Sequence, residues 1–139
     1  MKTYGESELL EAASAFHGHL GPYLVLGLKA GELANKIMGG DPFKMKAEVF
    51  CPSKPPHSCI VDGIQFSTGC TMGKANITTH VSQGVRVIFT KDGKRLEVAP
   101  KRSILAKTSS LKGEAVEDFG RELYDIPAED LFDYVLKTA

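Results

Sequence analysis

The chain has 139 residues, and its 17 Lys plus Arg balance 17 Asp plus Glu, so the formal net charge is zero. That length favours one domain able to bury its own core. With no basic excess there is no reason to expect nucleic acid or an anionic membrane surface as a partner, while a neutral domain of this size tends to associate with itself.

The start, "MKTYGESELL", has no apolar run behind its charge, so no secretory leader is expected. Residues 6–16 read as a helix with Leu9, Leu10, Ala13 and Phe16 on one side, broken by Gly18. Pro22 suits the first turn of a second helix, which should run to about Met38 and stop at Gly39-Gly40. Gly27 and Gly31 lie four apart on it, a spacing that permits close backbone contact and points to a central helix. Its apolar stretch is interrupted by Lys29 and Glu32, which rules out a membrane span.

Residues 43–50 alternate apolar and charged side chains, as a half-buried strand does. After the loop "CPSKPP" comes a short helix, "SCIVDGIQFSTG", with Ser58 as its expected N-cap, then the glycine-rich turn "GCTMGKAN". Strands are expected over "ITTHVSQ", over "VRVIFTKDGKRLEVAP" with a hairpin turn at its Asp-Gly step, and over "RSILAKT". Residues 110–124 and 127–137 read as closing helices. The sum is a single-domain α+β fold, with helices at both ends of an antiparallel or mixed sheet.

Chemistry concentrates in two places. In "HGH", residues two apart on a helix would point about 200° away from each other. On an extended or irregular segment they face the same way, and Gly18 makes such a segment accessible. His17 and His19 therefore either form a bidentate pair outside the helix or divide into one buried and one exposed ring. In "HSCIVDGIQFSTGC", Cys59 is placed at a helix start, where the macrodipole would lower its pKa. Asp62 and Phe66 share its stripe while Ile60 and Ile64 face the core, and the alternative for Cys59 is a small buried apolar side chain. His57 is expected at the surface, His80 on either face of its strand, and Cys51 in a structural role.

The turn holding Gly69, Thr71, Gly73 and Lys74 misses the phosphate-loop pattern, because Gly69 and Gly73 stand one residue too close and Ala75 follows the lysine. A looser anion-binding nest, with Lys74 beside it, and a plain tight turn both remain open. No Cys-x-x-Cys occurs, so a closed structural zinc site is not expected. Three cysteines, an odd number, argue against a disulfide framework and for a reduced, cytoplasmic setting.

"FHGHLGP" followed by "CIVDGIQFSTGCTMGKAN" resembles the FmdE family, which takes its name from formylmethanofuran dehydrogenase. Members of that family typically show Phe-His-Gly-His-x-Cys-Pro, then Cys-x-x-Asp-[AG]-Ile-Gln-x-x-Thr-Gly-Cys-Thr-x-Gly-Lys, and the second pattern matches from Cys59 to Lys74. The resemblance implies an α+β core domain, often dimeric, with a cleft lined by these histidines, cysteines and aspartate. It also implies that the zinc-finger module some relatives carry is missing, since no cysteine follows Cys70. The family's cysteine after the histidines is Gly21 here. Either Cys59 and Cys70 complete a ligand set with His17 and His19, or metal binding is weaker, or the reaction has been lost.

Two functional readings follow. One is an enzyme or enzyme subunit of one-carbon metabolism. His17, His19, Cys59 and Cys70 would hold a divalent transition metal, zinc before iron or nickel. Asp62 would orient a histidine, and Cys59, Asp62 and Lys74 would carry the chemistry on a small-molecule substrate. The turn of Gly69, Thr71 and Gly73 would hold an anionic group of the substrate or cofactor. The other reading is a non-catalytic module delivering metal or cofactor to a larger oxidoreductase. A homodimer is expected in both, suggested by the glycine-faced second helix, the zero net charge and the family resemblance, and a purely structural subunit would leave these clusters without use.

Overall fold

The computed structural model describes residues 5–138; the leader expectation therefore falls in part outside the described residues. Helix α1 (Glu6–His17) carries Glu6 and Glu8 in its first turn, where carboxylates favour the helix dipole, and ends on Gly18 at φ +100°. Helix α2 (Pro22–Met38) occupies the span its punctuation predicts, with proline at its start and Gly39 capping its end. From Pro22 to Gly31 every residue is buried, so α2 is the central helix. Phe16 departs from its expected place: Leu10 and Ala13 are buried but Phe16 is 65% exposed.

Strand β1 (Lys46–Cys51) begins three residues later than the alternation suggests. Asp41 Oδ1 accepts the backbone N–H groups of Phe43 and Lys44, which holds those residues in a turn. A 3₁₀ turn (His57–Cys59) leads into α3 (Ile60–Thr68), and α3 crosses to β2 (Ile77–Val81), which pairs parallel to β1. Strands β3 (Arg86–Lys91) and β4 (Lys94–Pro100) form the expected hairpin, with Asp92 and Gly93 both at positive φ, as a type I′ turn requires.

The end of the chain corrects two expectations. "RSILAKT" is not a strand but lies in α4 (Arg102–Ser110). Its period was ambiguous over so few residues. The partly buried Ile104, Leu105 and Thr108 follow helical spacing, and the Thr108 and Ser109 hydroxyls donate to carbonyls one turn back. Helix α5 (Glu114–Tyr124) matches most of the predicted closing helix. The second closing helix is only α6 (Ala128–Leu131); from Phe132 the chain becomes β5 (Phe132–Thr138). The aromatic and β-branched residues there pair with β4 instead of coiling.

The sheet order is β2-β1-β3-β4-β5, mixed because β1 and β2 run parallel. Ala47, Val49, Cys51, Val87, Phe89, Leu96 and Val98 are buried along its helix-facing side. Among the described residues, six α-helices and five strands make the α+β fold that the element order predicts.

The contact between α2 and α3 sets the site. A Cβ on Gly27 would lie 2.2 Å from the Ile60 carbonyl oxygen, and one on Gly63 would lie 2.2 Å from that of Leu24. A Cβ on Gly31 would lie 1.8 Å from Ser67 Oγ. The glycine stripe of α2 is therefore spent inside the chain. Its glycines face α3, so they give no support to the homodimer expectation.

Candidate functional site

The site begins where α1 stops. Gly18 takes the left-handed conformation and donates its N–H to the Ser14 carbonyl, so His17 stays as the last residue of α1, only His19 lies beyond the helix, and their rings lie 5.9 Å apart. His19 is exposed, whereas only 13% of the His17 side chain is. His17 Nδ1 lies 2.6 Å from Asp62 Oδ2, on the first turn of α3. The carboxylate holds the ring proton on Nδ1, which leaves Nε2 with a free lone pair. Gln65 Nε2 donates to the other oxygen of Asp62 at 3.4 Å, and Gln65 Oε1 accepts the Met72 N–H at 3.0 Å. A polar chain thus runs from the histidine through the carboxylate and the amide to the glycine-rich turn.

Beside this chain lies an open pocket of about 380 Å³, lined by Phe16, Gln65, Phe66, Thr71, Met72 and Gly73. The Phe16 and Phe66 rings stand 5.4 Å apart and tilted, and Met72 is 70% exposed at the rim. Thr71 and Gly73 were expected at a cofactor site and do line this pocket. Gly69 does not: it caps α3 at φ +77°, and a Cβ there would meet Pro42. Phe16, Gln65, Phe66 and Met72 were missed as site residues, although each adjoins a motif position.

The nest reading of the turn meets an internal network. The N–H of Thr71 bonds Asn76 Oδ1, that of Met72 bonds Gln65, that of Lys74 bonds Thr71, and that of Ala75 bonds the Met72 carbonyl. Lys74 Nζ bonds Thr71 Oγ1 at 3.2 Å and stands over the Phe43 ring. These four donors are thus already engaged with protein acceptors.

The cysteines also depart from expectation. Ser58 makes no capping bond, and Cys59 itself occupies the N-cap position of α3. Its thiol is pushed up, not down: burial acts first, the nearby Asp62 charge second, and a backbone N–H offsets them in part. Cys70 is fully buried, with Sγ 3.4 Å from the Met45 carbonyl, and burial raises its thiol too.

Among the described residues no three His, Cys, Asp or Glu side chains form a group that could hold a metal ion. His17, His19, Cys59 and Cys70 are therefore not brought together as a four-ligand centre in this structure. At position 21 a Cβ would lie 2.9 Å from His19 Cε1, so the His19 ring fills the space where the family's cysteine would begin. The remaining histidines are structural in their contacts. His57 packs on Tyr23, and His80 stacks on Phe50 and meets Glu48 at 3.1 Å.

The family described as "FmdE, Molybdenum formylmethanofuran dehydrogenase operon" matches residues 16–133. A protein of Archaeoglobus fulgidus named "Probable S-adenosyl-L-methionine-binding protein" is 26% identical over 150 residues. The match covers 89% of this chain but 41% of that protein, so the chain spans about two fifths of its relative's length. The crystal structure of an FmdE-like protein of the tungsten formylmethanofuran dehydrogenase type, from Syntrophus aciditrophicus, superposes with a TM-score of 0.72 at 21% identity. The superposition covers 99% of this chain and 74% of that one, and it shows a shared fold. No helix among the described residues is long and apolar enough to cross a membrane.

Proposed function

The chain belongs to the FmdE family, and from that premise we propose that it is a small-molecule-binding subunit of a formylmethanofuran dehydrogenase-type one-carbon system. The observation that carries this reading is the 2.6 Å contact between His17 and Asp62. Asp62 fixes the imidazole so that Nε2 receives a hydrogen bond or a proton from a ligand's polar group. Phe16, Phe66 and Met72 take the flat or apolar part of that ligand, and the Thr71 hydroxyl adds a polar contact at the wall. The work assigned to the chain is to hold such a molecule for a larger oxidoreductase.

Two compounds test this reading: formylmethanofuran, from the family's description, and S-adenosyl-L-methionine, from the name of the A. fulgidus relative. Each is titrated into the protein by calorimetry, with the His17 and Phe66 ring resonances followed by NMR. Binding of one of them should shift both rings, and Phe66→Ala should weaken it about tenfold. Saturation with neither compound, or saturation that leaves both rings unmoved, rejects the reading.

A further inference from the structure

The pocket beside α3 has two polar side chains in its wall, Gln65 and Thr71, both half-buried. An amide and a hydroxyl can each donate or accept a hydrogen bond, so neither by itself dictates the polarity of a ligand. Their protein partners remove that freedom. Gln65 Oε1 accepts the Met72 N–H at 3.0 Å, and Gln65 Nε2 donates to the Asp62 carboxylate at 3.4 Å. A turned amide would set its oxygen against a carboxylate and its NH₂ against an N–H, and both bonds would be lost. The amide is thus held one way round, and no acceptor among the described residues takes the second hydrogen of Nε2.

Thr71 reaches the same polarity by a different route. Its Oγ1 accepts from the backbone N–H of Lys74 at 3.3 Å and from the Lys74 ammonium at 3.2 Å. A hydroxyl oxygen has two lone pairs, and with both taken only the O–H hydrogen is left to offer. The ammonium also polarises that O–H and makes it a better donor. Lys74 is thereby a positioning residue, acting on the pocket through Thr71.

Taking this pocket as the ligand site proposed above, we infer that it selects a flat molecule whose polar edge consists of hydrogen-bond acceptors, a carbonyl oxygen or an unprotonated ring nitrogen, and rejects one that presents N–H or O–H there. The Phe16 and Phe66 rings, 5.4 Å apart, take the flat face, and the Gln65 amide and Thr71 hydroxyl meet the edge. A ligand with donors at this edge sets N–H against N–H. Each donor left unpaired then carries a desolvation cost that apolar contacts do not return.

Two bicyclic probes of similar size test the polarity: quinoline, whose edge offers an acceptor, and indole, whose edge offers a donor. Each is titrated into the full chain near neutral pH, where quinoline is uncharged, with the Gln65 side-chain amide and the Phe66 ring followed by NMR. Quinoline should move both signals, and indole should bind at least about tenfold more weakly. Thr71→Val should weaken quinoline about fivefold, Thr71→Ser should keep wild-type binding, and circular dichroism melts should show both variants folded. Equal binding of the two probes, a preference for indole, or no saturation by quinoline up to its solubility overturns the donor wall. So does full quinoline affinity in the folded Thr71→Val protein. The wall and the proposed function fail separately. A quinoline preference in a chain that binds neither formylmethanofuran nor S-adenosyl-L-methionine supports the wall and rejects only that function, whereas binding of either compound with indole equal to quinoline rejects the wall alone.

Discussion

Gly27 and Gly63 meet across the α2–α3 contact so closely that a Cβ on either would stand within 3 Å of the other's Cα, at 2.9 and 2.8 Å. Neither backbone can give way, because α2 is buried along nearly its whole length and α3 carries the buried Ile60 and Ile64. Gly63→Ala should therefore destabilise the fold by about 3 kcal/mol through overpacking. Gly84→Ala, where a Cβ meets nothing within 4 Å, is the control and should stay within about 0.5 kcal/mol of wild type. Urea unfolding of the two variants side by side checks both values.

His17 should be a single tautomer. With Asp62 accepting from Nδ1, two-dimensional ¹H–¹⁵N spectra should show a protonated Nδ1 and a bare Nε2 in the neutral ring. Asp62→Ala removes the acceptor from a mostly buried imidazole and should cost about 1–3 kcal/mol. An Nε2–H tautomer in the wild-type protein would show that the contact at 2.6 Å is not the hydrogen bond described above.

Cys59 should be a slow nucleophile. Burial and the Asp62 charge raise its thiol, so the protonated form persists to higher pH than in free cysteine. Iodoacetamide labelling should be slow at neutral pH. Its rate should keep climbing above about pH 8.5, where free cysteine is half ionised. Removing the charge with Asp62→Asn should speed labelling at neutral pH, and peptide mass spectrometry reads the site directly.

Tyr124 ties the chain's two ends together. Its hydroxyl donates to the Glu6 carbonyl, and its pKa is raised to about 12 by burial first, then by Glu32, Glu6 and Asp125. An unfolded tyrosine titrates near about 10, so the native state holds this proton more tightly. The stability it contributes is complete below about pH 10 and is lost as pH rises toward 12. The urea midpoint of the wild-type chain should fall across that interval, and Tyr124→Phe should flatten the fall.

Punctuation residues made parts of this fold legible. Pro22 and Gly39 bound α2 because a ring without an N–H and a left-handed cap act locally, whatever packs around them. The Asp92-Gly93 turn was legible for the same reason. Residues 102–108 and 132–138 were misread because seven residues satisfy a helical and an alternating pattern almost equally well. For residues 132–138 what decides is β4, a partner that lies more than thirty positions upstream of the strand it selects. At the site, the motif pointed to His17 and Asp62, and the geometry joins them. The pocket wall was not legible, since periodicity placed Phe16 on one side of its helix with Leu9, Leu10 and Ala13, and nothing singled out Met72. Cys70 was drawn into a ligand set by its motif, whereas the fold turns its sulfur toward the Met45 carbonyl.

The glycine contact also bears on how fast a ligand comes and goes. α3 supplies Asp62, Gln65 and Phe66 to the site, and where Gly27 meets Gly63 its backbone is wedged directly against that of α2, with Ser67 the side chain packed beside that contact. Backbones this close resist sliding past each other, so filling the pocket is expected to need no shift of α3 against α2. The parts left to move are the outward-facing Phe16 and Met72 side chains, whose rotamers exchange within nanoseconds. On the proposed reading, a ligand would enter and leave this pocket without movement of α2 against α3, and its residence time would follow the strength of its contacts.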